Sequence, residues 1–290
     1  MKSALKYPGA KWSIADWIIG FFPEHHSYLE PFFGSGAVLF RKSRSNIETV
    51  NDLDGEVVNL FECIKNDPEK MARMIYLTPY SRQIYEEAYT KTKSDFERAL
   101  GFFIRCNMGH GYRTTGEKVG WKNDVQGRER AYAAKYWQTL PAEIVAIAER
   151  LRGIQIDNRP AQELIPRFNH PNVLIYADPP YMLSTRHGKQ YRCEMNDYDH
   201  MELLEILLAH KGFVVLSGYE SDLYNKALKG WSKKNIISYS QVASKKQEVL
   251  WMNFEPLDQI RLFDVTENVD SNRRVNHGCN AVFNYNISIR

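Results

Sequence analysis

The chain has 290 residues, of which 43% are hydrophobic and 25% are charged, and its formal net charge is +3. This is the composition of an ordinary globular protein, with room for one large domain or for one domain that carries a sizeable insertion. The small net charge does not by itself require a polyanionic partner. No stretch approaches the ~20 apolar residues of a membrane span, and the amino terminus lacks the apolar core of a signal peptide. We therefore expect a cytoplasmic protein without a membrane partner.

The first predicted elements alternate between strand and helix. His26 to Glu30 predicts a short strand, and Gly34 to Gly36 separates this strand from Ala37 to Arg41, where a helix is expected to begin. Ile47 to Asn51 predicts the next strand, and apolar residues at helical spacing from Val57 to Ile64 predict a helix. A βαβα order with glycines at the first turn favours a parallel sheet.

A change of pattern near residue 70 predicts an insertion. Met71 to Leu77 and Ile84 to Phe103 look helical, whereas Asn107 to Tyr132 is rich in glycine, charge and aromatic residues and has no clear period. A strand at Ile154 to Ile156 then resumes the sheet. The predicted division is a catalytic domain at 1–69 and 151–256, a mostly helical insertion at 70–150, and a tail at 257–290.

Four further elements complete the predicted α/β domain. Val173 to Ala177 and Phe213 to Ser217 are short apolar runs that predict buried strands. Between them, His200 to His210 predicts a helix. Ile236-Ile237 and Val249 to Met252 predict a terminal hairpin.

The tetrapeptide Asp178-Pro179-Pro180-Tyr181 lies directly after one of these predicted strands, where open α/β sheets bind ligands. Each proline fixes its own φ and has no N–H, so the carbonyls of this turn are free to accept hydrogen bonds. The Asp178 carboxylate and the Pro179 carbonyl form a stiff pair of acceptors beside a flat ring. Such a pair suits the planar exocyclic amine of a nucleobase. The alternative is a proline-rich turn in which the aspartate caps a helix.

Two glycines, Gly34 and Gly36, follow the first strand and allow the backbone to approach a ligand closely. No Lys-Ser/Thr pair follows them, which excludes a phosphate-binding P-loop. At the end of the next strand, Asp52 is placed to accept hydrogen bonds from ribose hydroxyls. Alternatively, Asp52 caps the helix that starts near Gly55. Glu30 is either a strand-end carboxylate that caps the glycine loop or a ligand contact.

Phe32-Phe33-Gly34-Ser35-Gly36 resembles the F-x-G-x-G loop of S-adenosylmethionine-dependent amino-methyltransferases, and Asp178 to Tyr181 resembles their D-P-P-Y motif. The order of loop, insertion and tetrapeptide resembles the alpha group of DNA adenine N6-methyltransferases. Leu5 to Trp12 resembles the K-W-x-G-G-K opening of the Dam-like family, from which it departs at positions 7, 8 and 10. Val50 to Asp54 resembles the family's acidic strand end, and Lys246 to Leu250 resembles its K-x-x-E-L-L segment.

The resemblance implies a Rossmann-like methyltransferase sheet with a mostly helical, inserted DNA-recognition subdomain. It also implies methyl transfer from S-adenosylmethionine, without a metal, to N6 of an adenine that is flipped out of a specific site in double-stranded DNA, with Tyr181 stacked on the base. The implied catalytic residues are Asp178, Pro179, Pro180 and Tyr181. The implied cofactor contacts are Tyr7, Lys11, Phe32, Gly34, Gly36, Asp52 and Asp178.

The predicted insertion carries local positive charge, with seven basic and three acidic residues between Arg105 and Lys135. Basic side chains contact phosphates, and Arg and Asn read purine edges. A solvated helical hairpin with ordinary surface charges is the alternative. The candidate DNA contacts are Lys6, Arg105, Asn107, Tyr112, Arg113, Lys118, Lys122, Asn123 and Arg128.

The predicted tail contains a candidate partner motif. Gln259-Ile260-Arg261-Leu262-Phe263 resembles the Q-x-x-L-F peptide that docks on the bacterial replication sliding clamp. In that interpretation Gln259, Leu262 and Phe263 contact the clamp, whereas in the alternative Leu262 and Phe263 pack on the domain itself.

Two other functions remain open at this point. The first is a methyltransferase that acts on an RNA base or a protein amide, because D/N-P-P-Y motifs serve other planar amines. The second is a catalytically silent DNA-binding partner. The basic insertion argues against the first, and the intact Asp178 and glycine loop argue against the second.

Overall fold

The computed structural model describes residues 3–92, 94–125, 132–186, 188–239 and 245–256. Seven strands in these ranges form a single sheet. They are β1 (Ser27–Glu30), β2 (Ile47–Asn51), β3 (Gln155–Asp157), β4 (Val173–Ala177), β5 (Phe213–Gly218), β6 (Ser232–Tyr239) and β7 (Lys245–Met252). Their order across the sheet is β3-β2-β1-β4-β5-β7-β6.

The first five strands are parallel, whereas β7 runs antiparallel to both β5 and β6. The chain extends the sheet outward from β1 through β2 and β3, and then returns to the other side of β1 with β4. The strand order therefore reverses between β1 and β4, which is where doubly wound sheets bind ligands. The predicted Rossmann-like α/β fold and its terminal hairpin are confirmed.

The helices in the described ranges lie on both faces of this sheet. They are α1 (Ala15–Ile19), α2 (Gly55–Asn66), α3 (Pro68–Leu77), α4 (Arg82–Glu87), α5 (Asp95–Met108), α6 (Ala133–Leu151), α7 (Ala161–Leu164), α8 (Asp197–Leu208) and α9 (Asp222–Ala227). Within these ranges, none is long and apolar enough to cross a membrane.

Two of the predicted helices need correction. The single helix expected over Ile84 to Phe103 is instead two helices, because Ser94 caps a new helix by accepting from the amide of Glu97. Ala37 to Arg41 forms turns rather than a helix. There, Lys42 donates to the carbonyl of Ser43 and forms an ion pair with Glu48 at 2.6 Å, which turns the chain back towards β2.

Side-chain alternation along β4 supplies two hydrophobic clusters, one on each face of the sheet. Leu174 and Tyr176 belong to the cluster under α2, α5 and α6, while Val173, Ile175 and Ala177 belong to the cluster under α7, α8 and α9. The helices of the predicted insertion thus share a core with one face of the sheet. The division of the insertion at 70–150 from the catalytic domain as a separate subdomain stays a prediction.

A buried charge cluster attaches α6 to β2. Glu48 accepts from Arg150 at 2.5 Å and from Lys42 at 2.6 Å. Burial opposes ionisation, but the hydrogen bonds from Arg150 and Lys42 prevail and lower the pKa of Glu48 to about 2. The carboxylate is therefore charged at neutral pH and holds the longest helix of the insertion against the sheet.

Candidate active site

A cavity of about 400 Å³ lies at the carboxyl ends of β1, β2 and β4. Its walls come from the amino-terminal segment, the glycine loop, the end of β2, the segment after β3 and the segment between β4 and α8. Six of the residues predicted to contact a cofactor line it. They are Tyr7, Lys11, Phe32, Gly34, Asp52 and Asp178.

The two glycines of the loop have different environments. Gly34 lines the cavity with φ of +50°, and a Cβ added there would lie 3.1 Å from the Tyr7 ring. Gly36 has φ of +69°, but its added Cβ would lie 2.4 Å from the ring of Phe40 and 2.6 Å from that of Phe33. Among the described residues that line the cavity, Gly36 is absent. We therefore correct its predicted role from cofactor contact to close packing in the core.

Asp52 holds the glycine loop and remains at the cavity wall. Its Oδ2 accepts from the amide of Gly34 at 2.8 Å, and its Oδ1 accepts from the amide of Asp54 at 2.9 Å. The cap of α2 is Asp54, which accepts from the amide of Glu56, so the alternative role predicted for Asp52 belongs to its neighbour. Burial raises the pKa of Asp52 to about 7, against the two amide hydrogen bonds.

Asp178 follows β4 and forms an ion pair with Lys11. The Lys11 Nζ lies 3.0 Å from Oδ2 of Asp178 and donates to the carbonyl of Gly9 at 2.8 Å. Within the described part of the chain, Oδ1 of Asp178 is buried and has no hydrogen-bond partner. Burial raises the pKa of this carboxyl to about 6, while Lys11 opposes the shift. A buried acceptor without a partner in the chain is available to a donor from outside it, such as water or a ligand.

Tyr181 is anchored through its hydroxyl. This group donates to Oε2 of Glu248 at 2.5 Å and lies 3.2 Å from Oγ of Ser217. The ring lies edge-on to Tyr219, with 4.4 Å between centroids, and the Lys11 ammonium lies 4.8 Å from its centroid. The sequence predicts a role for the Tyr181 ring only, and the structure adds the hydrogen-bond partners of its hydroxyl.

Some residues at the site escaped the sequence-based prediction. Tyr191 lines the cavity and donates to the carbonyl of Pro8 at 3.3 Å, but it lies in an irregular segment that carries no motif. Glu248 had a signal, since it is the glutamate of the K-x-x-E-L-L-like segment. Glu30, by contrast, was predicted either to cap the glycine loop or to contact a ligand; it lines the cavity and accepts from Tyr28 at 2.8 Å, and burial raises its pKa to about 8.

Five of the predicted DNA contacts are accessible. Arg113, Lys118 and Asn123 are exposed on the loop after α5, and Lys6 and Lys122 are half-buried. Burial lowers the pKa of Lys6 to about 8, and the charge of Lys122 adds to this shift. The loop itself is closed by a bridge between Gly109 and Trp121.

Three other predicted DNA contacts have internal roles. Asn107 is 3% exposed and donates to the carbonyls of Ala4 and Phe103. Tyr112 is also buried, and Arg105 pairs with Glu56 at 3.3 Å. We therefore remove Arg105, Asn107 and Tyr112 from the proposed DNA surface, because their polar groups serve the fold.

One predicted DNA contact and the predicted clamp motif are not among the described residues. These are Arg128 and the motif with Gln259, Leu262 and Phe263. They stay predictions. In the described part of the chain, no group of three or more His, Cys, Asp or Glu side chains is arranged to hold a metal ion.

Comparison with known proteins agrees with this geometry. The family model for D12 class N6 adenine-specific DNA methyltransferases matches residues 7–245. Type II methyltransferase M.FokI of Planomicrobium okeanokoites is 24% identical over an alignment of 290 positions that covers 88% of this chain and 43% of that protein. Modification methylase StsI of Streptococcus sanguinis is 22% identical over an alignment of 291 positions that also covers 88% of this chain and 43% of the relative. The chain thus spans less than half the length of these two proteins.

A further relative has a length similar to that of this chain. Type II methyltransferase M.MjaIII of Methanocaldococcus jannaschii is 22% identical over an alignment of 294 positions that covers 88% of this chain and 99% of the relative. The family match includes the glycine loop, the end of β2 and the tetrapeptide after β4. The chain therefore belongs to the D12 class N6 adenine-specific DNA methyltransferase family.

Proposed function

We propose that this chain transfers a methyl group from S-adenosylmethionine to N6 of an adenine that is flipped out of a specific site in double-stranded DNA. The observation that carries the proposal is the buried, unpartnered Oδ1 of Asp178 at the point where the strand order reverses. That atom is an acceptor without a donor, and an adenine amino group supplies one.

The cavity fits the proposed cofactor in size and chemistry. Its volume of about 400 Å³ lies within the range of small-molecule sites. Asp52 would hold the ribose hydroxyls at the end of β2. Tyr7 and Gly34 would form the wall against the cofactor, and the carboxylate of Asp178 would offset its positive charge. When bound, S-adenosylmethionine supplies an electrophilic methyl group on a positively charged sulfur.

The chain's own contribution to the reaction is to hold the amine and to complement its charge. In adenine the amino lone pair is delocalised into the ring, so the nitrogen is a poor nucleophile. Oδ1 of Asp178 accepts one N–H and the Pro179 carbonyl accepts the other, which favours a pyramidal nitrogen. The ionised Asp178 also stabilises the positive charge that develops on nitrogen as it attacks. The prolines keep both acceptors at a fixed distance from the base, which is a proximity effect.

The proposed DNA surface consists of Lys6, Arg113, Lys118, Lys122 and Asn123. The lysines are suited to phosphates, and the arginine and asparagine are suited to purine edges. The amino-terminal segment that contains Lys6 also contains Lys11, which pairs with Asp178. This continuity supports a DNA surface next to the proposed site of reaction.

The proposal is tested by the chemical identity of the product. The protein is incubated with S-adenosylmethionine and, separately, with unmethylated genomic DNA, total RNA or a protein extract, and the digests are analysed by mass spectrometry. We expect N6-methyladenine in the DNA alone, and single-molecule sequencing of that DNA would give the target site. Methylation of RNA or protein alone would support the first alternative, and cofactor binding without transfer would support the silent partner.

A further inference from the structure

Glu248 reaches the site because β7 is antiparallel to its neighbour. Ser217 pairs with Leu250 and Gly218, the last residue of β5, pairs with Val249, so Glu248 lies just beyond the carboxyl end of β5. The carboxyl ends of β4 and β5 lie at the same edge of the sheet. Glu248 and Leu250 point to one face because side chains alternate along a strand, and Leu250 packs in the same cluster as Tyr176. Glu248 is therefore directed towards the site from a strand that bears no other predicted site residue.

The contact between Glu248 and Tyr181 is buried. Glu248 is 6% exposed, and Ser217 is fully buried. Tyr181 has one hydroxyl proton, and at 2.5 Å the Glu248 carboxylate is the closer and stronger acceptor. The Tyr181 oxygen then accepts from the Ser217 hydroxyl at 3.2 Å. Burial raises the pKa of Tyr181 well above its ordinary value, as do Asp178 and Glu248, so the phenol keeps the proton that it donates.

This anchor restricts the remaining freedom of the Tyr181 ring. The preceding prolines fix the backbone, and the side chain is left with rotation about its two χ angles. A hydrogen bond at the far end of the ring restricts both angles. The ring is consequently held beside the Asp178 carboxyl, where the proposed base would stack.

We infer that Glu248 is a positioning residue for methyl transfer, acting through the Tyr181 hydroxyl and assisted by Ser217. This inference rests on the proposed function, because the position of the ring affects the rate only if a base binds against it. It also predicts the effect of Tyr181→Phe. A phenylalanine keeps the ring but leaves a buried carboxylate without its donor, so the substitution is expected to impair the enzyme.

A double-mutant cycle separates this role from a direct effect of the Glu248 charge. The variants are Glu248→Ala, Tyr181→Phe and the double variant, with folding checked by circular dichroism. We expect Glu248→Ala to lower kcat by about 10- to 100-fold, with little change in the KM for S-adenosylmethionine. The double variant should be no slower than the slower single variant, because both changes remove the same contact. Glu248→Gln retains an acceptor oxygen and should recover most of the rate.

The control variant is Glu220→Ala. It removes an exposed carboxylate that lies shortly after β5 and pairs with Lys233. It should leave kcat unchanged. An equal loss from Glu248→Ala in the wild-type and Tyr181→Phe backgrounds would overturn the inference, since Glu248 would then act independently of the hydroxyl. A parallel loss of affinity for S-adenosylmethionine in every Glu248 variant would also overturn the inference.

A second measurement needs neither DNA nor turnover. Tyrosine labelled with ¹³C at Cζ gives a resonance for Tyr181 that is assigned by its disappearance in Tyr181→Phe. We expect Glu248→Ala and Glu248→Gln to shift this resonance and Glu220→Ala to leave it in place. An unchanged resonance in both Glu248 variants would overturn the anchor. If instead the resonance shifts while wild-type protein fails to methylate DNA, the anchor stands and the proposed function fails.

Discussion

The ammonium of Lys11 and the carboxylate of Asp178 form an ion pair at 3.0 Å, with side chains that are 6% and 17% exposed. The pair links the amino-terminal segment to the end of β4. Burial opposes the charge on Lys11, but Asp178 prevails and raises the pKa of Lys11. The pair therefore leaves one carboxylate oxygen engaged by the chain and the other available to a ligand.

The ion pair predicts how the reaction depends on pH. In the proposed mechanism the ionised Asp178 complements the positive charge that develops on the amine, and its pKa is about 6, so kcat/KM for DNA should fall as the pH drops below about 6. Lys11 lowers this pKa, and Lys11→Met should therefore move the acidic limb of the profile of kcat/KM against pH to higher pH. Lys11→Arg keeps the cation and should leave the limb near its wild-type position. Identical limbs in the Met and Arg variants would show that Lys11 does not set the ionisation of Asp178.

Asp52 should contribute to cofactor affinity more than to DNA affinity. The variant Asp52→Ala removes the acceptor proposed for the ribose and also the partner of the Gly34 amide. We expect weaker binding of S-adenosylmethionine by calorimetry, a higher KM for it and a smaller change in DNA affinity. Equal dissociation constants for the cofactor would reduce Asp52 to a support for the glycine loop.

Alanine substitutions of Gly34 and Gly36 should have different effects on stability and on cofactor affinity. Gly36→Ala forces a Cβ against two buried rings at positive φ, so we expect a loss of stability on the order of 1–3 kcal/mol. The folded fraction should still bind the cofactor normally. Gly34→Ala should lower cofactor affinity as well, because Gly34 lines the cavity. Thermal unfolding together with calorimetry distinguishes the two, and an unchanged melting temperature for Gly36→Ala would contradict the packing role.

The loop after α5 should contain both non-specific and specific DNA contacts. Lys118→Ala should weaken binding to every sequence and reduce the salt slope of log K by about 0.9. Arg113→Ala or Asn123→Ala should cost ~1–3 kcal/mol on the target and relax specificity there. Lys226→Ala, on α9, removes a charge from the opposite face of the sheet and serves as the control. The measurement is binding to target and scrambled duplexes at several salt concentrations, and identical results for all four variants would place DNA recognition elsewhere.

Much of the sheet could be predicted from the sequence because buried strands are short apolar runs with glycine or acidic residues at their ends. The residues at those ends, Gly34, Asp52 and Asp178, follow from the same rule and line the cavity. Ala37 to Arg41 has helical composition, but the ion pair between Lys42 and Glu48 is a tertiary contact that no local pattern reveals.

Within the insertion, the sequence does not distinguish buried positions from exposed ones as clearly as it identifies the strands. Asn107 and Tyr112 are polar enough for a DNA surface, and composition does not show that α5 turns Asn107 inward or that Tyr112 is buried on the loop after α5. The contact between Glu248 and Tyr181 depends on the antiparallel register of β7 beside β5, which the predicted hairpin did not specify. Local patterns therefore identified the residues better than the contacts between them.

The most direct test of the proposed chemistry is the rate of methyl transfer by Asp178→Ala under single-turnover conditions. The assay measures radioactive methyl incorporated into DNA that contains the target site, with folding verified by circular dichroism. Without its acceptor the amine loses both its orientation and its charge complement, so we expect the rate to fall on the order of 10²–10³-fold. A folded Asp178→Ala variant that transfers methyl groups at nearly the wild-type rate would contradict the role of Asp178 and the mechanism built on it.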